Sequence, residues 1–238
     1  MDRCVYTCPP LCFYAPVDFP RAHIFYFRRF FIVKRQNKTA YITKIAMFGV
    51  LAYIIMFLEF ALPMFPGFLK MDFSELVPLM GSLAMGPLAG MLIELIKNLL
   101  HWATASSTGG VGEIGNFVVG SAYVMTAGFI YKYNKTKKGA LIALGCSIVA
   151  MIVAGAIINY FVTVPFYASV FFKDAGGIDG VVAMSAALIP AIKDKFTLIL
   201  FAFCPFNLIK GIVLSIITIP LYKKVSPLLH RESLKRAK

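Results

Sequence analysis

The chain has 238 residues, of which 59% are hydrophobic and 15% charged, with a mean hydropathy of +0.78. A water-soluble domain carries about a quarter charged residues and close to half apolar ones, so this composition excludes a soluble fold and makes lipid the medium. Lys plus Arg number 24 against 11 Asp plus Glu, an excess that membrane topology accounts for without a nucleic-acid partner.

Residues 1–37 hold four prolines and no sustained period, and read as a disordered or mis-called extension. An apolar core does not follow a charged start there, as a signal peptide requires. Cys4, Cys8 and Cys12 lack a fourth ligand and a histidine at finger spacing, so no zinc site is expected. Cys146 and Cys204 sit inside apolar blocks, so the cysteines form no disulfide framework. Residues 38–223 are expected to make one membrane domain, followed by a basic cytoplasmic tail, 224–238.

Apolar blocks run Tyr41 to Leu62, Phe73 to Met85, Pro87 to Trp102, Ile114 to Tyr133, Gly139 to Phe172 and Phe196 to Tyr222. A crossing needs about 20 residues; four blocks meet that length, and the second and third are short, broken at Gly86-Pro87. Charge decides between one kinked span and two. The segments Arg21–Lys44, Lys132–Lys138 and Lys223–Lys238 hold seven, four and six basic residues, whereas the other connections hold one, none and three. If Gly86-Pro87 is an inner turn, every rich segment faces the cytoplasm, as the positive-inside rule asks. The expected fold is therefore all-α, with six transmembrane helices and both termini cytoplasmic.

The fifth block is about 50 Å long at helical rise, and Pro165 disfavours helical geometry at Val164, so the helix is expected to end there. Phe166 to Asp194 then forms an outer segment with turns at Gly176-Gly177 and Asp179-Gly180. Pro63, Pro66 and Gly67 shape the first outer loop, Pro63 to Asp72.

Polar side chains inside the helices carry the functional reading, because each is costly in hydrocarbon unless it is paired or lines a cavity. Lys210 stands about 18 Å of helix from Tyr222, too far to snorkel easily. Asn207 lies one turn back on the same face, with Phe203 and Leu214 extending the stripe. An amide, an ammonium and an aromatic ring on one face suit a planar heteroaromatic ligand. The bland alternative is a structural lysine paired with Glu94 or Glu113 from another helix. Asn159 falls at outer-leaflet depth, as a ligand contact or as interhelical glue. Glu94 and Lys97 are i, i+3 neighbours and are expected to pair. Glu113, with Asn116, begins a helix and reads as a cap. Asp72 and Glu75 have capping-box spacing.

Gly110-Val-Gly-Glu-Ile-Gly115 matches G-x-G-x-x-G, but no strand precedes it. It reads as an outer turn with close packing at Gly115. No P-loop, nucleophile elbow or zincin motif occurs, and His23, His101 and His230 lie scattered at segment ends. Nothing assembles a nucleophile with its base, so the chain reads as a non-enzyme.

The stretch Lys38 to Ala52, the loop Phe68 to Glu75, Gly86-Pro87 with Ile96-Lys97, Gly112-Glu113 with Asn116-Phe117, and Asn207-Leu-Ile-Lys210 resemble the riboflavin-specific S components of energy-coupling factor (ECF) transporters, over roughly residues 38–223. The resemblance implies a bacterial multi-pass protein that captures riboflavin from outside. It implies docking on a transmembrane coupling subunit with two ABC-type ATPase subunits, and tipping in the bilayer for release. Riboflavin is then cargo rather than cofactor, FMN a second candidate ligand, and no metal is required. The ligand residues it implies are Asn159, Asn207, Lys210, Phe68, Leu69, Asp72, Lys97 and Asn116, with Phe68 to Asp72 as a gate. Docking is assigned to Ala46, Gly49 and Val50, although the small-x-x-x-small pattern of such components is broken by Val50. The alternatives are an S component for another small vitamin and a membrane enzyme of lipid metabolism.

Overall fold

The computed structural model describes residues 38–106 and 108–234, without the side chains of residues 137, 175 and 222–234. The leader, its cysteines and the end of the basic tail lie outside the described residues. The chain separates into two compact units, residues 1–41 and 42–238; of the first only Lys38–Tyr41 is described, and the second carries all the elements from the body of the first helix onward.

The elements are α1 (Lys38–Met56), the short strands β1 (Phe60–Ala61) and β2 (Lys70–Met71), α2 (Leu76–Met85), α3 (Pro87–Ala105), α4 (Val111–Tyr133), α5 (Lys137–Ile158), α6 (Val164–Val170), α7 (Ile178–Ala186), α8 (Lys195–Leu198) and α9 (Cys204–Leu234). Four helical stretches are long and apolar enough to cross a membrane: Lys38–Met56, Val111–Tyr133, Lys138–Val170 and Lys195–Leu221. Their outward positions are large and greasy, among them Met47, Val50, Ile54, Ile142, Val149, Val153, Ile212 and Ile216. Such exposure is intolerable in water and ordinary against acyl chains.

The chain reverses at Gly86, whose φ of 108° favours glycine, and Pro87 starts α3 where its missing N–H is harmless. The two helices pack closely: a Cβ on Gly90 would meet Ser82 Cβ at 2.6 Å and the Pro78 carbonyl at 2.9 Å. α2 alone is about 15 Å long, half the thickness of a bilayer's hydrocarbon core.

The fifth block does not stop at Val164. Helical geometry continues to Val170, with Val164 at φ −63° and ψ −46°. The expectation from Pro165 fails because a π turn, Asn159–Thr163, precedes it, and the Val164 amide reaches back to the Asn159 carbonyl. Widening the helix there relieves the contact between the proline ring and the preceding turn. The same device recurs in the last helix, where the π turn Ile199–Phe203 precedes Pro205 and the Cys204 amide bonds to the Ile199 carbonyl. The expected turn at Asp179-Gly180 is also replaced, since both residues lie in the first turn of α7. Gly176 and Gly177 do turn the chain, at φ of 90° and 64°. Asp194 caps α8, accepting from the Thr197 amide at 2.7 Å while the Thr197 hydroxyl answers in a capping box.

Two apolar clusters form the interior. One gathers Phe65, Leu69, Met71, Val164, Val181, Leu198, Phe203 and Phe206. The other gathers Leu79, Val119, Tyr123, Ala127, Leu144, Met151 and Leu214.

Candidate functional site

A cavity of about 390 Å³ takes walls from both clusters, a size typical of small-molecule sites, which run to roughly 300–1,000 Å³. It draws on widely separated parts of the chain: the end of α1, the β1–β2 loop with the residues just after β2, α3 and the loop that follows it, the start of α4, the π turn after α5 with α6, one residue of α7, and the second π turn with the start of α9.

The loop wall is held in place by its own side chains. Phe65 and Leu69 are buried in the first cluster, Phe65 meets Phe206 edge-on at 5.5 Å, and β1 pairs antiparallel with β2, Phe60 opposite Met71. Lys70 is ion-paired with Glu59. Phe68 stacks on Phe203 of the last helix, their centroids 5.9 Å apart and planes inclined by 29°. That aromatic pair gives the cavity a flat apolar surface.

On the opposing helices stand the carboxamides. Asn207 is 6% exposed and, among the described residues, takes no hydrogen-bond partner; a Cβ on Gly155 would lie 2.4 Å from its nitrogen, so glycine makes room for it. The Asn207 amide, which can both donate and accept, is therefore open to the cavity that it lines. Asn159 donates to the Gly155 carbonyl at 2.7 Å and lines the cavity. Asn116 donates to Asn98 Oδ1 at 3.0 Å.

Lys210 is paired, but not with Glu94 or Glu113. Its Nζ donates to Asp72 Oδ2 at 3.1 Å and lies 3.7 Å from Glu75 Oε1, while the residue still lines the cavity. Asp72 and Glu75 therefore do not form a capping box; no side-chain cap closes the start of α2. Asp72 instead accepts from the Ser74 amide at 2.8 Å and from its hydroxyl. Burial opposes the charge on Asp72, but Lys210 and Lys97 override it and hold the carboxyl well below the usual carboxylate range.

Lys97, expected at the ligand, does not line the cavity. It is fully buried and donates to Ser74 Oγ at 3.1 Å, to Glu75 Oε1 at 3.1 Å and to Glu94 Oε1 at 3.0 Å, and is ion-paired with Glu94. Its position on the inward face of α3 aims it at α2 rather than at the opening. The result is a continuous chain, Asp72–Lys210–Glu75–Lys97–Glu94, that braces one wall of the cavity. Gly120 leaves the space for it, since a Cβ there would lie 2.1 Å from Glu94 Oε1 and 2.8 Å from Glu75 Oε2.

The reading of the sequence missed a second polar group on the wall. Glu113 Oε1 lies 2.9 Å from His101 Nδ1, and Thr108 Oγ1 donates to Glu113 Oε2 at 2.9 Å. Glu113 is thus engaged with side chains of a neighbouring helix and loop rather than acting only as a cap. The available signal was the helical offset of His101 from Lys97, four residues on the same face.

Of the docking residues, Gly49 is turned inward. It is buried with Ile45, Ala52 and Met56, and a Cβ on it would collide with Ile96 of α3 at 2.5 Å. The small-residue face of α1 therefore serves packing within the chain, whereas Ala46 and Val50 face outward.

The family described as "ECF transporter, substrate-specific component" matches residues 40–222. The chain is 32% identical over 197 residues to a protein of Staphylococcus aureus (strain TCH60) named "Riboflavin transporter RibU", covering 83% of this chain and 95% of that protein. It is 30% identical over 192 residues to "Riboflavin transporter FmnP" of Bacillus subtilis (strain 168), covering 79% and 93%. A solved structure described as "Structure and mechanism of the S component of a bacterial ECF transporter" superposes with a TM-score of 0.62 at 30% identity, over 81% of this chain and 99% of that one.

Proposed function

The chain belongs to the substrate-specific components of ECF transporters, and from that premise we propose that its cavity captures riboflavin from the outside for uptake through an ATP-driven module. One observation carries the ligand assignment. Asn207, a buried carboxamide without a protein partner among the described residues, stands one helical turn from Lys210 and beside the Phe68–Phe203 stack. A flavin offers what that wall lacks, a flat ring system whose edge alternates hydrogen-bond acceptors with an N–H donor. Relatives named for riboflavin support the same choice.

In this reading Asn159, Asn207 and Lys210 meet the polar edge of the ring, and Asn116 lines the adjoining wall. Phe68, Leu69 and Asp72 form the gate, with Asp72 latched to Lys210. Lys97 keeps the gate's base in place through Ser74 and Glu75 rather than touching the ligand. Riboflavin has about 27 heavy atoms, and at about 0.3 to 0.4 kcal/mol each its affinity falls between nanomolar and micromolar.

The membrane unit, 38–223, is proposed to span six times with both termini cytoplasmic. The four long helices, the reversal at Gly86-Pro87 and the basic segments at 132–138 and 223–238 support that arrangement. Its partners in transport are a transmembrane coupling subunit and two ABC-type ATPase subunits, met through the outward face of α1 at Ala46 and Val50. The membrane-enzyme alternative falls with the family assignment.

Protein purified in detergent from cells grown with riboflavin is expected to be yellow. Asn207→Ala is expected to lose most of that colour while keeping its helical circular dichroism. Colourless wild-type protein that binds a different vitamin would replace riboflavin with that cargo.

A further inference from the structure

The cavity wall carries two separate polar groups. On the inward face of α3, Glu94, Lys97 and His101 succeed one another at helical spacing, so His101 sits about 6 Å nearer the α3–α4 loop than Lys97. One group joins His101, Thr108 and Glu113, the other Lys210 and Asp72, and all five residues line the cavity. His101 belongs to the end of α3, and Glu113 to the first turn of α4, so the short loop between the two helices brings them together.

We propose that His101 and Glu113 form a separate subsite that recognises a polyhydroxylated chain, and that in riboflavin they select the ribityl group. The inference rests on the flavin reading and adds which residues distinguish riboflavin from a bare flavin ring. A polyol needs neighbours that accept and donate. The Glu113 carboxylate has capacity for about four hydrogen bonds; Thr108 and His101 engage one oxygen each and the Glu113 amide and Ser106 also bond to it, so a hydroxyl joins this set by sharing or displacing one of them. With Nδ1 directed at Glu113, the His101 ring is fixed and Nε2 is the atom left for a hydroxyl, which can meet it as donor or acceptor. Thr108 completes the set; it lines the cavity too, and its hydroxyl also caps α4 by accepting from the Gly112 amide at 3.1 Å. His101 is 13% exposed and Glu113 6%, so water does not compete freely for either.

The test compares riboflavin with lumiflavin, which keeps the ring and replaces the ribityl chain by a methyl group, on the full chain in detergent. Wild-type protein is expected to bind riboflavin more tightly. Glu113→Ala and His101→Phe are expected to raise the riboflavin Kd about tenfold each, the ratio that corresponds to about 1.4 kcal/mol for one lost hydrogen bond, and to leave the lumiflavin Kd within about twofold. Lumiflavin retention reports that the variants remain folded, and the volume-preserving pair Glu113→Gln and His101→Gln repeats the measurement with smaller packing changes. Equal binding of the two flavins by wild-type protein, or variants that lose both ligands together or neither, would overturn the subsite. A wild-type protein that binds neither flavin would instead remove the riboflavin reading itself.

Discussion

Lys210 is paired with buried carboxylates while it also lines the cavity. Its ammonium is within 3.7 Å of both Asp72 and Glu75, so removing it leaves carboxylates buried without compensation, which typically costs about 3 to 5 kcal/mol. Lys210→Met is therefore expected to lower the thermal midpoint sharply, and adding Asp72→Asn to recover much of it without restoring flavin binding. Additive losses in the double variant would show that the two residues do not depend on each other. The depressed ionisation of Asp72 fixes the direction of its pH dependence. Its contribution to stability is present above the unfolded carboxylate value of about 3.9 and is lost as pH falls through the still lower folded value. A melting series is thus expected to show no loss traceable to Asp72 between about pH 5 and 8. The candidacy of Lys210 and Asn207 was legible because a lone cation and an amide one turn apart inside an apolar block have few innocent uses. The partner of Lys210 was not legible. Asp72 lies 138 residues away, and its spacing to Glu75 satisfied a local rule that the three-dimensional pairing overrides.

Single elements show why proline and glycine misled the reading of two helices. Pro165 and Pro205 each come after a π turn, which lets a proline sit in a continuing helix. Each turn inserts about one extra residue and so rotates the downstream helix by about 100° relative to a regular one. Asn207 comes after the second of these turns, so that turn sets the direction in which its carboxamide points, whereas Asn159 begins the first. Pro205→Ala restores a backbone donor and favours regular α geometry. It is expected to keep the helical signal and to weaken flavin binding several-fold; unchanged affinity would assign the π turn to packing alone. In α1 the apolar block was plain, but composition could not say which face was inward. Gly49 packs on Ile96, so Gly49→Leu is expected to destabilise the isolated subunit. A bulky outward change such as Ala46→Trp is expected to leave flavin binding intact and abolish transport. If Gly49→Leu melts like the wild type, the α1–α3 contact is not a tight one.

For the whole molecule, the segregation of greasy and basic segments exposed the membrane class, because lipid solvent leaves a mark on every window of the chain. The cavity is a different matter. Its walls come from residues between Met56 and Lys210, and no local pattern records that a loop, two π turns and a helix end converge. Resemblance to the family supplied part of that convergence at Asn159, Asn207 and Lys210, yet left out His101 and Glu113, and it included Lys97, which does not line this cavity. The central claim is that the polar wall beside the Phe68–Phe203 pair is completed by a flavin. Titrating riboflavin into the purified, ligand-free chain and monitoring quenching of flavin fluorescence tests it directly. One-to-one binding with Kd between about 10 nM and 1 µM, weakened at least about tenfold by Asn207→Ala, is the result expected. Folded protein that leaves riboflavin fluorescence unchanged, or an Asn207→Ala variant that quenches as well as the wild type, would contradict it.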